Sequence, residues 1–166
     1  MSQDSMQQYR TRYLLAKLTQ FVDMAYKGLR EPGSLSDYMV LEIEHILPQT
    51  PEKELRDDFA RENPTADYDT TKKRLGNLTL LEKTINIVAG NDFFKAKKIE
   101  YAKSKYYLTS SLQGLTQVGQ NSSITRINQK LASFERWSAA TIEQRQGLLV
   151  DLSFDVWRIA DGCPVA

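Results

Sequence analysis

The nine residues Leu41 to Gln49, LEIEHILPQ, alternate apolar and acidic side chains, reach the only histidine of the chain at His45 and meet a proline at Pro48. Alternation at a period of two is the signature of a half-buried strand, so Met39 to Leu47 reads as a strand. Proline has no N–H to give to a ladder, and the strand must therefore stop at Pro48. Any fold built on this segment has to place an ionisable pair, Glu44 and His45, at the exit of a strand. Adjacent side chains on a strand point to opposite faces, so either the strand end twists or both faces carry polar work at this point.

The chain around that strand reads as mainly helical. Leu14, Leu18, Phe21, Val22 and Ala25 recur at three- and four-residue steps, which predicts an amphipathic helix over residues 7–28, ended by EPGS at Glu31 to Ser34. Pro51 to Ala60 reads as a helix with acids in its first turn, and NPTADYDTTKK as a loop. Leu75 to Leu81, LGNLTLL, reads as a turn leading into a second strand. A short helix over Lys83 to Val88 and a longer one from Asp92 to about Tyr107 follow. On the longer helix Lys95, Lys98 and Lys105 share a face beside Phe94 and Tyr101. Beyond a polar linker, Gln113 to Ser123, two more helices are expected, Ile124 to Trp137 and Thr141 to about Ala160, the second opened by a Thr141–Gln144 capping box. The order predicts an α+β fold, mostly α-helical, with a small core at about 38–107, a polar tail over 1–8 and a C-terminal helical extension at about 123–161.

A chain of 166 residues can bury a core without disulfides. Its one cysteine, Cys163, has no partner, which points to a reducing cytoplasm. No apolar run reaches the roughly 20 residues of a membrane span, and MSQDSMQQ lacks the order of a signal peptide. Net charge is only +1, so a phosphate-binding surface has to be local. Two basic knots stand out: Lys72, Lys73 and Arg74, and the five lysines between Lys95 and Lys105 that face a single acid, Glu100.

Three asparagines follow the histidine at close spacing: Asn77 in the Gly-Asn turn, Asn86, and Asn91. Asparagine suits a turn, is mildly unfavourable inside a helix unless its amide finds a partner, and is a good N-cap. Asn91 reads either as a further amide in a site or as the cap of the lysine-rich helix, with the cap preferred.

The order EHILPQ, LGNLTLL, Asn86 and NDFFKAKK…Y…S resembles the HNH, or His-Me finger, endonuclease superfamily. Within it the chain is similar to the nuclease domain that ends GmrSD-type type IV restriction enzymes and SspE-type phage-defence proteins. The flanking YRTRYLLAKL and FERWSAATIEQRQGLLVDLSFDVW extend the likeness over most of the chain. The resemblance implies a small ββα-metal core flanked by N- and C-terminal helices, within one nuclease domain over residues 9–166. It implies His45 as general base, Asn77 orienting the imidazole through its amide, and Glu44 and Asn86 holding one divalent ion. Family members often carry aspartate or histidine where this chain has Glu44, and histidine where it has Asn86; oxygen donors suit Mg²⁺ or Mn²⁺. No cysteine pairs surround the core, so no structural zinc is expected.

The expected substrate is DNA, its backbone held by Lys72, Lys73, Arg74, Lys95, Lys98 and Lys105. The expected partner is an NTP-hydrolysing sensor domain, joined to this one or supplied by another subunit. The expected setting is restriction or antiviral defence in the cytoplasm. Two competing readings keep part of this picture: an RNA or single-strand nuclease using the same site, and a non-catalytic helical module for DNA binding or interaction.

Overall fold

The computed structural model describes residues 3–119 and 122–157. It is a mostly helical α+β fold with one two-stranded sheet. Helix α1 (Gln3–Tyr26) is followed by the short α2 (Ser36–Met39) and strand β1 (Glu42–His45). Next come α3 (Lys53–Glu62), α4 (Tyr68–Thr71), a 3-10 turn (Leu75–Asn77) and strand β2 (Leu78–Leu81). Then follow α5 (Lys83–Ala89), α6 (Phe94–Tyr101), α7 (Tyr107–Ser110), α8 (Ser123–Asn128) and α9 (Ala139–Trp157).

β1 and β2 pair antiparallel, Glu42 opposite Leu81 and His45 opposite Leu78. The hairpin is buried differently along its two strands. All four residues of β2 are buried, whereas on β1 only Glu44 is. Leu15, Ala16, Leu18 and Val22 of α1 are completely buried, and this helix packs against β2, α7, α8 and α9. A second body of apolar contacts gathers Phe59, Tyr68, Phe94, Phe134 and Trp137 on the other side of the hairpin.

Several boundaries differ from expectation, each for a local reason. Residues 3–8, read as a polar tail, lie in α1. The first strand starts at Glu42, because the turn of α2 takes up residues 36–39. The segment read as loop contains α4, capped by Asp67, whose carboxylate accepts from Thr70 N at 2.7 Å. The helix expected to Tyr107 stops at Tyr101. There Glu82 accepts from Ser104 Oγ at 2.8 Å and from Lys105 N at 3.0 Å, and these bonds hold the chain in a break.

Lys105 therefore lies outside the helix that carries Lys95 and Lys98. The helix expected over Ile124 to Trp137 ends at Asn128, and the chain beyond it brings Phe134 and Trp137 into the core. α9 begins two residues before Thr141. Ser138 and Thr141 cap it reciprocally, Thr141 N donating to Ser138 Oγ and Ser138 N to Thr141 Oγ1. Cys163 and the expected helix end near Ala160 lie outside the described residues. Among the described residues no helix is long and apolar enough to cross a membrane.

Candidate active site

β1 ends at His45, and the five residues after it are tied down from different directions. Ile46 N donates to Asn77 O at 3.0 Å. Leu47 is gripped at both backbone groups by the Asn77 amide: its N donates to Oδ1 at 2.6 Å, and its O accepts from Nδ2 at 2.9 Å. Pro48 O accepts from Tyr68 OH at 2.7 Å and Gln49 O from Lys72 Nζ at 2.9 Å. Thr50 Oγ1 accepts from Asn91 Nδ2 at 3.1 Å. A loop after a proline-terminated strand has no ladder to satisfy it, so its polar groups need such partners.

The His45 ring is half-buried, and its Nε2 lies 2.9 Å from the Gln49 amide nitrogen. Among the described residues its Nδ1 has no partner. Burial disfavours the imidazolium, and the ammonium groups of Lys97 and Lys72 add repulsion, so the pKa falls from 6.5 to about 4. The ring is neutral at neutral pH.

Glu44 points to the other face and is buried. Its Oε1 accepts from Lys97 Nζ and from Tyr101 OH, both at 2.6 Å. Lys97 is 1% exposed and also donates to the His45 carbonyl at 2.8 Å. Burial pulls the ammonium pKa down, and Glu44 opposes that fall. The same pair drives the Tyr101 phenol upward, through burial first and the Glu44 charge second. This surrounding fits poorly with the expected role of Glu44 as a metal ligand. A lysine ammonium already neutralises it and would repel a divalent cation placed there.

Asn77 is completely buried. Besides its two bonds to Leu47, Nδ2 donates to Lys72 O at 2.9 Å and Oδ1 accepts from Trp137 Nε1 at 2.9 Å. All four hydrogen-bonding positions of the amide are filled, and none reaches the imidazole. Asn77 fixes the loop after His45.

The C-terminal helix secures this turn as well. A Cβ on Gly76 would lie 2.0 Å from Ile142 O, so glycine is required there by the close approach of α9. Buried Arg145 donates through Nη1 to Gly76 O and to Leu78 O, both at 2.7 Å. Burial lowers its pKa to about 10.

Asn86, on α5, donates from Nδ2 to Glu42 Oε2 at 2.7 Å. Among the described residues nothing donates to its Oδ1. An amide oxygen beside a carboxylate is a fitting donor set for a hard cation. Among the described residues no three of His, Cys, Asp and Glu gather as a metal cluster, so an ion here would keep much of its water. Asn91 is exposed and does not cap α6. The N-cap there is Phe93, and the Asn91 amide reaches back to Thr50 instead.

The basic residues divide by what they touch. Lys72 bonds to Gln49 O and pairs with Asp69, and Arg74 pairs with Glu143. Lys98 pairs with Glu135 at 3.5 Å and lies over the Phe94 ring. Lys105 sits over the Tyr106 ring at 5.1 Å. Lys73 and Lys95 are exposed and have no partner among the described residues.

Sequence reasoning did not assign a role to Glu42, Gln49, Lys97, Tyr101, Trp137 or Arg145. A signal for Lys97 was present: Phe94, Lys97 and Tyr101 follow three- and four-residue spacing, so the lysine lies on the buried stripe of α6.

The fold and site define the class: an α+β domain built on a β-hairpin, with its polar groups gathered around the first strand and the loop that follows. Residues 2–152 match the family GmrSD restriction endonucleases, C-terminal domain, and the chain belongs to that family. It is thus a nuclease domain of the restriction-endonuclease kind. Comparison with curated proteins and with solved structures gave no match.

Proposed function

We propose that this domain hydrolyses phosphodiester bonds of DNA by the HNH mechanism, with His45 as general base, in a modification-dependent restriction or phage-defence system. The single observation that supports it most is the neutral imidazole at the strand end. Lys97 holds its backbone, Gln49 meets Nε2, and Nδ1 is left without a partner among the described residues.

An imidazole of this kind can take a proton from water across the physiological range. With the Gln49 amide rotated half a turn from its orientation in the structure, where the nitrogen faces the ring, Oε1 accepts from Nε2–H and the Nδ1 lone pair is left as the basic site. Asn77, Tyr68 and Lys72 hold the loop that carries Gln49, so ring and amide keep one geometry. Asn86 Oδ1 would hold a Mg²⁺ or Mn²⁺ ion, which when bound would supply charge neutralisation for the breaking phosphodiester. Lys73 and Lys95 are the cations best placed to meet the DNA backbone, because no carboxylate among the described residues competes for them. Lys98 can join at small cost, since a surface pair such as Lys98–Glu135 contributes only about 0–1 kcal/mol. A sensor that hydrolyses NTPs would license cutting from a neighbouring domain or subunit.

The test is His45→Ala, checked for fold by circular dichroism and incubated with plasmid in Mg²⁺ or Mn²⁺. The wild type is expected to nick or linearise the plasmid and the variant to leave it supercoiled. Equal cutting by both removes His45 from the mechanism.

A further inference from the structure

We infer that the carboxylate serving the cation site is Glu42, and that Glu44 takes no part in metal binding. This rests on the reading of Asn86 as a metal ligand given above.

The argument starts from what each oxygen already touches. Glu44 Oε1 receives two hydrogen bonds of 2.6 Å, one from the ammonium group of Lys97, and the Glu44 side chain is only 7% exposed. A second cation there would meet Lys97 with little water between them. Glu42 is two residues earlier on the same face of β1, is only half-buried, and lies in no ion pair among the described residues. Its one side-chain hydrogen bond among the described residues is with Asn86.

That bond also fixes which way the amide faces. A carboxylate can only accept, so the Asn86 atom 2.7 Å from Glu42 Oε2 has to be the amide nitrogen. The amide oxygen is then turned to the other side, where nothing among the described residues donates to it. Glu42 thereby does two things for a cation at Asn86: it presents the ligand oxygen, and it adds a negative charge next to it. Outer partners that orient a ligand in this way change metal affinity by about 10- to 100-fold. The strand thus divides its acids. Glu42 orients the Asn86 amide, and Glu44 anchors Lys97, which holds the His45 carbonyl.

Mn²⁺ alone, titrated into isotope-labelled protein without nucleic acid, tests the assignment through paramagnetic broadening of amide resonances. In the wild type the broadening is expected to centre on Glu42 and on the Asn86 side-chain amide. Glu42→Ala and Asn86→Ala should each require at least about tenfold more Mn²⁺ for the same effect. The double variant Glu44→Gln with Lys97→Met, which removes both charges of the buried pair together, should broaden as the wild type does. The inference is overturned if Glu42→Ala broadens like the wild type, or if the wild type shows no localised broadening. Broadening centred on Glu44 and lost in the double variant also overturns it. Because no DNA is cut in this experiment, its result is independent of the plasmid assay on His45→Ala.

Discussion

The Lys97 ammonium lies 2.6 Å from Glu44 Oε1, and both side chains are buried. Two charges out of water are tolerated only when well bonded, and here the Tyr101 hydroxyl donates to the carboxylate and the His45 carbonyl accepts from the ammonium. Lys97→Met leaves the Glu44 carboxylate buried without a counter-charge and is expected to destabilise the fold by about 3–5 kcal/mol. Adding Glu44→Gln removes the orphaned charge and should recover most of that loss. Urea unfolding of the two variants measures both steps. A single variant as stable as the double one would show that the pair is not coupled.

Gly76 has the backbone of α9 against it, so Gly76→Ala has no room for its methyl group. Overpacking of this kind costs about 1–3 kcal/mol or more. The expected relief is a shift of α9 away from the turn, which loosens Arg145 and Trp137 from the chain around Asn77. Loss of cutting together with a lower unfolding midpoint is the expected pair of results. Increased hydrogen exchange at residues 46–50, and not across α1, would tie the effect to the loop after His45.

The hairpin and most of the helices were legible because their periodicities are local. Alternation gave β1, the apolar run gave β2, the three-four spacing gave α1 and α9, and the early proline with first-turn acids gave α3, each within a few residues. Two of the long helices expected after β2 are cut short for reasons no local pattern carries. Glu82 reaches across to hold residues 104 and 105, and Phe134 and Trp137 leave helical geometry to fill the core. The same limit applies to the site. The residue types around His45 could be read from their order, but hydrogen-bond partners could not. Asn77 looks like a partner for the imidazole because both belong to one motif, yet its amide is filled by Leu47, Lys72 and Trp137. Lys97 is indistinguishable from its exposed neighbours by charge alone, because the eleven residues from Lys95 to Lys105 read as one basic run.

The pH behaviour of His45 follows from its surroundings. An unperturbed histidine would lose its basic form through about pH 6.5. Burial, Lys97 and Lys72 lower the folded-state value to about 4. In the metal-free protein, the imidazole proton resonances are therefore expected to titrate near pH 4. The sign for stability follows: between those two values the unfolded chain binds a proton that the folded chain does not. Stability is then complete above about pH 6.5 and declines as pH falls through about 4. A titration midpoint near 6.5 would mean that the ring is solvated.

Lys73 and Lys95 are expected to bind DNA without reading its sequence. Replacing both by alanine should weaken binding to unrelated duplexes alike. It should also flatten the dependence of affinity on salt, by about 0.9 in log–log slope for each phosphate that is no longer neutralised. Lys72→Ala differs, because that ammonium holds Gln49 O. It should change the loop more than the salt slope. Fluorescence anisotropy at several salt concentrations separates the two behaviours, and an unchanged slope in the double variant places the DNA elsewhere.

Gln49 is the side chain that touches the imidazole, and it is exposed enough to change without disturbing the core. Gln49→Leu keeps similar bulk but removes the amide that holds Nε2, so the ring can rotate and exchange tautomers. Misplacing a reacting group by about 1 Å can cost roughly 100-fold in rate, and a fall of about 10- to 100-fold in kcat is expected with little change in DNA affinity. Gln49→Glu provides the opposite case. A carboxylate at Nε2 can only accept, which fixes the proton on that nitrogen and raises the imidazole pKa towards or above its ordinary value. Imidazole nitrogen shifts of the two variants and the wild type report the tautomer directly. The expected order is one dominant Nε2–H form in the wild type and in Gln49→Glu, and a mixture in Gln49→Leu. A wild-type ring carrying its proton on Nδ1 would reverse the assignment of the basic nitrogen.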